Sequence, residues 1–295
     1  MKLVTVFTPT YNRALMLPRL YKSLLEQSNR DFIWLIVDDG SVDNTAELAD
    51  IWKREAKIQV EYFRQENQGK HIAHNKGVDL CNTPIFFCVD SDDILTPDAV
   101  QTISYLHNEE RNKVLGFYLR KGDASGKPAG RNWPKSVKYV HLNELYQKYG
   151  FEGESAIVLN TALIKGYQFP KFDNEKFVTE AVFYDLIDGI AKMRLVDKVC
   201  YLYEYGEDGY TLSGAANLFR NPIGTGYYYL THIMHISSVL EKAKLMGMFL
   251  AWKELLGLKE PAYESVKVGV MTRILGRLLK RHYKKLFREQ KEKLS

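Results

Sequence analysis

Four short apolar runs, each stopped by a polar cluster, constrain this chain more than any other feature. LVTVF (3–7) runs into TPTYNR, and FIWLIV (32–37) runs into DDGS. VEYF (60–63) precedes the polar segment QENQGKHIAHNKGV (65–78), and IFFCV (85–89) ends in DSDD. Strands that are apolar at successive positions are covered on both faces. Between the first two runs, Leu17, Leu20, Tyr21, Leu24 and Leu25 recur at the spacing of one helical stripe. A second helix is expected over 43–56, with Leu48, Ile51 and Trp52 on one face. Thr96 and Pro97 open a third as N-cap and first helical residue. VLGFYLRK (114–121) is a further strand, and GDASGKPAGRNWP (122–134) is a loop. The alternation predicts an α/β fold, Rossmann-like, with a mostly parallel sheet flanked by helices. Ligands in such sheets bind beyond the carboxyl ends of the strands. TPTYNR, DDGS and DSDD all fall at that edge.

The chain has 295 residues and a formal net charge of +5. The charge suits an anionic substrate or an anionic membrane surface and is too weak to argue for nucleic acid. Three cysteines, with no C-x-x-C, exclude a disulfide scaffold or a cysteine zinc site and favour the cytoplasm. The first apolar stretch is too short for a signal sequence, and no run reaches the roughly 18 apolar residues of a spanning helix.

Asp90-Ser91-Asp92-Asp93 has two readings. Asp and Ser favour strand ends and turns. Hard oxygen ligands in this spacing also suit Mg²⁺ or Mn²⁺, which keep waters and bridge to substrate phosphates. Asp38-Asp39-Gly40-Ser41 is a turn into a helix, whose carboxylates could also accept a base N–H. In Thr8-Pro9-Thr10-Tyr11-Asn12-Arg13 the tyrosine could stack on a base and the arginine could pair with a phosphate. His71 and His74 lack a carboxylate at ligand spacing, so they fit polar contacts to a nucleotide better than a metal.

The ordered set TPTYNR, VDDGS, NQGKHIAHNKG and VDSDD resembles the nucleotide-sugar half of the family-2 inverting glycosyltransferases, which have the GT-A fold. The resemblance covers roughly the first 100 residues and implies roles by position. Thr8, Pro9 and Tyr11, with Arg13, line the nucleotide pocket. Asp39 binds the base, usually uracil, and Lys70 and Asn75 flank base and ribose. Asp90 and Ser91 face the ribose, and Asp92, with Asp90, holds Mn²⁺ or Mg²⁺. The family's general base is typically the second acid of a pair at a helix start. Here Thr179-Glu180 stands at that place, so Glu180 takes the role, with Glu175, Asp185 and Glu154 competing. The histidine that often completes the metal shell is absent from YEYGEDGYTLS (203–213), where Asp208 or water substitutes. Trp133 and Glu154 are acceptor-side candidates.

The resemblance implies metal-dependent transfer from a nucleotide-diphosphate sugar, UDP-sugar favoured, to a hydroxyl of a glycan or lipid-linked acceptor in bacterial surface-glycan assembly. The alternative is a non-catalytic nucleotide-sugar-binding or interaction module on a degenerate transferase fold. A nucleotidyltransferase and an NAD-dependent dehydrogenase both lack their glycine-rich loop here. The expected division is a GT-A domain over 1–205 and a helical C-terminal region over 206–295, whose apolar-rich segment 226–252 closes over the acceptor or forms a homodimer contact. His232 and His235 belong there as core or surface residues. Over 267–293, ten Lys and Arg face two Glu, interleaved with Val270, Ile274, Leu275, Leu278, Leu279, Tyr283 and Leu286. This basic amphipathic helix either packs on its own domain or lies on anionic lipid, a peripheral position at the inner face of the membrane.

Overall fold

The computed structural model describes residues 1–110, 113–131, 133–203, 214–258 and 268–294. They form two compact units. The first comprises Met1–Tyr167 and Ile187–Gly206, the second Gln168–Leu186 and Glu207–Ser295.

One nine-stranded sheet occupies the first unit. Its strands are β1 (Val4–Thr10), β2 (Phe32–Asp38), β3 (Val60–Arg64), β4 (Ile85–Cys88), β5 (Ile94–Leu95), β6 (Gly116–Gly122), β7 (Tyr139–Val140), β8 (Ser155–Asn160) and β9 (Met193–Leu202). The order is β3-β2-β1-β4-β8-β6-β9-β5, with β7 also on β9. The first four strands run parallel. β8 is antiparallel to both β4 and β6, so β6 runs in the same direction as β4. The carboxyl ends of β1, β2, β4 and β6 therefore lie along one edge. Every residue of β1 is buried, as a strand covered on both faces requires.

Helices α1 (Leu17–Leu25), α2 (Thr45–Glu55), α3 (Lys70–Leu80) and α4 (Ala99–Glu110), with the single turns α5 (Glu144–Gln147) and α6 (Thr161–Ile164), flank the sheet. The α1 stripe buries Leu17, Leu20, Tyr21 and Leu24. Tyr21 stacks on Trp52 of α2 and on Trp34 of β2, at ring separations of 4.6 and 5.9 Å.

The polar segment 65–78 holds a helix that its periodicity did not announce. In α3, Gly77 meets the Phe7 ring of β1 so closely that a Cβ there would fall 2.4 Å from a ring carbon. Phe7 cannot retreat easily, because it stacks on Phe86 and takes His74 edge-on. Gly77→Ala gains about 1 kcal/mol of helix propensity but overpacks the core at a cost of about 1–3 kcal/mol. Net destabilisation is expected, read as a lower midpoint in chemical denaturation. An unchanged or raised midpoint would show that α3 can lift from β1.

In the second unit, α7 (Glu180–Ile187) begins, and α8 (Gly214–Arg220), α9 (Pro222–His232), α10 (Val239–Leu256) and α11 (Val270–Leu294) follow. Tyr229, Leu230, Ile233, Met246, Phe249, Trp252 and Phe287 form its core. α10 and α11 cross at Gly247 and Gly276. A Cβ at Gly276 would lie 2.5 Å from Met246 Cγ, so only glycine permits this approach.

Candidate active site

The carboxyl ends of β1 and β2 are laced together. Asp39 N–H donates to the Thr10 carbonyl (2.8 Å), Asn12 N–H to Ser41 Oγ (2.8 Å), and Val42 N–H to Asn12 Oδ1 (2.8 Å). Asp38 is fully buried and accepts from Ser41 N–H and the Tyr62 hydroxyl. Asp39 accepts from Gln65 Nε2 (2.7 Å), Gln68 N–H (2.9 Å) and Gly69 N–H (2.7 Å). It thereby caps α3, whose own N-cap residue, Gly69, has no side chain to do so. A carboxylate offers about four acceptor positions, so Asp39 retains one.

Thr8 and Pro9 are buried within β1, and Thr8 Oγ1 accepts from the Trp34 indole at 3.0 Å. Tyr11 is half exposed and Arg13 partly so. Asn75 is buried on α3. His71 is buried as well, and burial lowers its pKa to about 4, so it is neutral at ordinary pH.

Between β4 and β5 the chain turns through Asp90-Ser91-Asp92-Asp93. Lys70, first residue of α3, places its ammonium 2.7 Å from Asp90 Oδ1. Burial works to raise the Asp90 pKa, but Lys70, Lys121 and Arg13 outweigh it and hold the carboxyl below its ordinary value. Asp93 goes the other way. Burial pushes it up to about 7, with Asp90 and Asp92 adding to the rise and Tyr201 and Lys121 opposing it. Ser91 is buried, and Asp92 is partly exposed. Among the described residues, no cation pairs with Asp92.

Lys121 and Tyr201 complete this cluster, and the sequence reading did not single them out. The two residues are register partners on β6 and β9, and the Lys121 ammonium lies 4.4 Å from the Tyr201 ring centroid. It is 3.0 Å from Glu154 Oε2. Burial disfavours its charge, yet Asp90, Glu154 and Asp93 together raise its pKa. The Tyr201 hydroxyl accepts from Asp90 N–H at 3.0 Å. The signal was available, since Lys121 ends a predicted strand at the edge where α/β sheets bind ligands.

The competing acids have other employment. Glu175 is buried and accepts from Ile223 and Gly224 N–H at 2.6 and 2.7 Å, capping α9. Asp185 is buried 2.7 Å from His232 Nδ1. Glu154 is taken by Lys121. Glu180, the first residue of α7, is exposed. Trp133 is buried, edge-on to Phe151 and under the Arg120 guanidinium. Asp208 and Lys267 lie outside the described residues.

Among the described residues, no three His, Cys, Asp or Glu side chains gather to cage a metal. Asp90 and Asp92 fit the other mode, in which one or two carboxylates hold Mg²⁺ or Mn²⁺ and substrate phosphates and water supply the remaining oxygens.

The family model described as "Glycosyl transferase family 2" matches residues 5–167. The GalNAc(5)-diNAcBac-PP-undecaprenol beta-1,3-glucosyltransferase of Campylobacter jejuni is 26% identical over 246 residues, covering 82% of this chain and 77% of that protein. An uncharacterized glycosyltransferase of Rickettsia conorii is 35% identical over 112 residues, which is 38% of this chain and only 18% of that longer protein. The crystal structure of S. aureus TarS 1-349 in complex with UDP-GlcNAc superposes with a TM-score of 0.65 at 16% identity, over 99% of this chain and 92% of that one. Its likeness bears on the fold alone.

Proposed function

The chain belongs to glycosyl transferase family 2, and from that membership we propose that it moves a sugar from a nucleotide-diphosphate donor, UDP-sugar favoured, to a hydroxyl of a glycan or lipid-linked acceptor, with inversion. The observation that carries this is the charge arrangement at the sheet edge, where Lys70 and Lys121 keep Asp90 ionised beside Asp92, which no cation among the described residues pairs with. A degenerate binding module has no need to keep that many charges together against their desolvation cost.

The remaining acceptor position of Asp39 takes a base N–H, and Tyr11 offers its half-exposed ring to the base. Lys70, Lys121 and Arg13 attract the diphosphate to the same edge. Asp90 and Asp92 would hold Mn²⁺ or Mg²⁺, which when bound would supply Lewis-acid stabilisation of charge on the leaving diphosphate. Glu180 accepts the proton of the attacking hydroxyl as the oxygen approaches the anomeric carbon from the face opposite the leaving group. One displacement on that line inverts the anomeric configuration. Support for Glu180 comes from its exposed place as the first residue of α7, the helix start at which the family resemblance puts the general base. The Campylobacter relative acts, by its name, on a polyprenol-linked acceptor. A lipid-linked acceptor would be presented at a membrane surface, as surface-glycan assembly requires.

Thermal shift with UDP, GDP, CDP and TDP, each with and without Mn²⁺, tests the donor side. A ligand at about 100 times its Kd stabilises by about 2.7 kcal/mol, which is several degrees for a domain of this size. A Mn²⁺-dependent shift is expected with UDP and not with the others. No shift with any nucleotide, in folded protein, would favour an interaction module on a degenerate transferase fold.

A further inference from the structure

The outward face of α11 carries apolar side chains that the described residues of its unit leave uncovered. Thr272, Gly276 and Phe287 are buried, with Leu279 and Gly276 set against Gly247 and Met246 of α10. Lys280 and Lys284 turn to Glu254 of α10. At 100° per residue, Val270, Ile274 and Leu278 point away from that contact, with Met271 beside them. Their exposures are 74, 49, 71 and 60% respectively. A helix that merely packs on its own unit needs one apolar face, and α11 has two. Along the same outward line the character changes after Leu278, where Arg281, Lys285 and Arg288 follow, all exposed. Over the whole helix, nine Lys and Arg face two Glu.

We propose that this face of α11 seats the protein on an anionic lipid surface, with Val270, Met271, Ile274 and Leu278 entering the boundary of the acyl region and Arg277, Arg281, Lys285 and Arg288 meeting headgroup phosphates. Charge decides between the possible occupants. A second copy docked on the same face would bring its own arginines against Arg273, Arg277 and Arg281, and like charges oppose an isologous contact. An anionic partner removes that repulsion. The apolar residues stand in a row along one helix and run on into a row of cations, an order that matches the acyl boundary and headgroups of an anionic lipid surface. Among the described residues no helix is long and apolar enough to cross a membrane, so contact through this face lies in the plane of the interface. The surface itself is independent of the transferase proposal; only its use, bringing the enzyme to a lipid-linked acceptor, rests on that reading.

The test is flotation of the full chain with phosphatidylcholine vesicles, with and without phosphatidylglycerol, at low and high salt. Flotation is expected only with phosphatidylglycerol and should weaken as salt rises, because the headgroup attraction is screened. The double variant Ile274→Asp/Leu278→Asp should lose at least about tenfold in partition, since each carboxylate is costly at an acyl boundary. Arg281→Glu/Lys285→Glu should lose flotation while retaining its melting temperature, because both side chains are exposed. The proposal is overturned by protein that stays with the unbound fraction, by equal binding to phosphatidylcholine alone, or by Ile274→Asp/Leu278→Asp floating like the parent. It is also overturned if that double variant instead converts a solution dimer to a monomer, which would assign the face to a second copy. None of these readouts involves nucleotide or turnover, so failure here leaves the transferase proposal untouched.

Discussion

Glu180→Gln is expected to lower turnover by about 10²–10⁴-fold, the usual contribution of a positioned general base, while leaving nucleotide binding and the melting temperature where they were. Glutamine keeps the shape of the side chain and removes only its capacity to take a proton. The residue is exposed at the first position of α7, where a carboxylate contributes about 0.3–1 kcal/mol through the helix dipole. The competing acids should behave differently. Glu175→Gln leaves one of the two capped N–H groups of α9 facing an amide nitrogen, and Asp185→Asn weakens a buried contact with His232, so both should melt earlier. Steady-state kinetics with an identified donor, read beside melting curves, separates the two patterns. If Glu180→Gln turns over like the parent, the base is elsewhere.

The sheet was legible because burial on both faces writes itself as apolar runs, and LVTVF, FIWLIV and IFFCV each sit within or across a strand, while VEYF marks β3 at the sheet edge, where Glu61 is exposed. α3 was not legible for a physical reason. Its cap is Asp39, some thirty residues earlier, and one of its inward positions is Gly77, which contributes contact by having no side chain. Neither leaves a periodic apolar trace. The reversed strand β8 was missed because no short-range signal reports which neighbour a strand will pair with. At the site, the acids stood out by their clustering, whereas Lys121 looked like one more cation until β6 and β9 brought it over Tyr201. Spacing alone also gave α11 a single stripe. The structure divides it, turning Leu279 to α10 and Val270, Ile274 and Leu278 outward, because the helix packs through Gly276.

Asp90 and Asp92 look equivalent in the motif, and their surroundings predict that they will not respond alike. Asp92→Asn removes a carboxylate that, among the described residues, no cation neutralises and that helps push Asp93 up to about 7. Removing it relieves like-charge repulsion, so the nucleotide-free protein should melt at the same temperature or slightly higher. The part of UDP binding that depends on Mn²⁺ should vanish, and turnover should fall by about 10²–10³-fold, the scale seen when one preorganised electrostatic contact to developing charge is deleted. Asp90→Asn leaves Lys70 facing an amide at 2.7 Å and strips Lys121 of a charge that offsets its burial. That variant should lose melting temperature even before nucleotide is added, since two partly buried ammonium groups lose a charge that offsets their desolvation. Melting curves of the two variants with and without UDP and Mn²⁺ read both effects in one experiment. A D92N protein that keeps the full Mn²⁺-dependent shift would remove Asp92 from the metal site and leave Lys70 and Lys121 as the cations that meet the diphosphate.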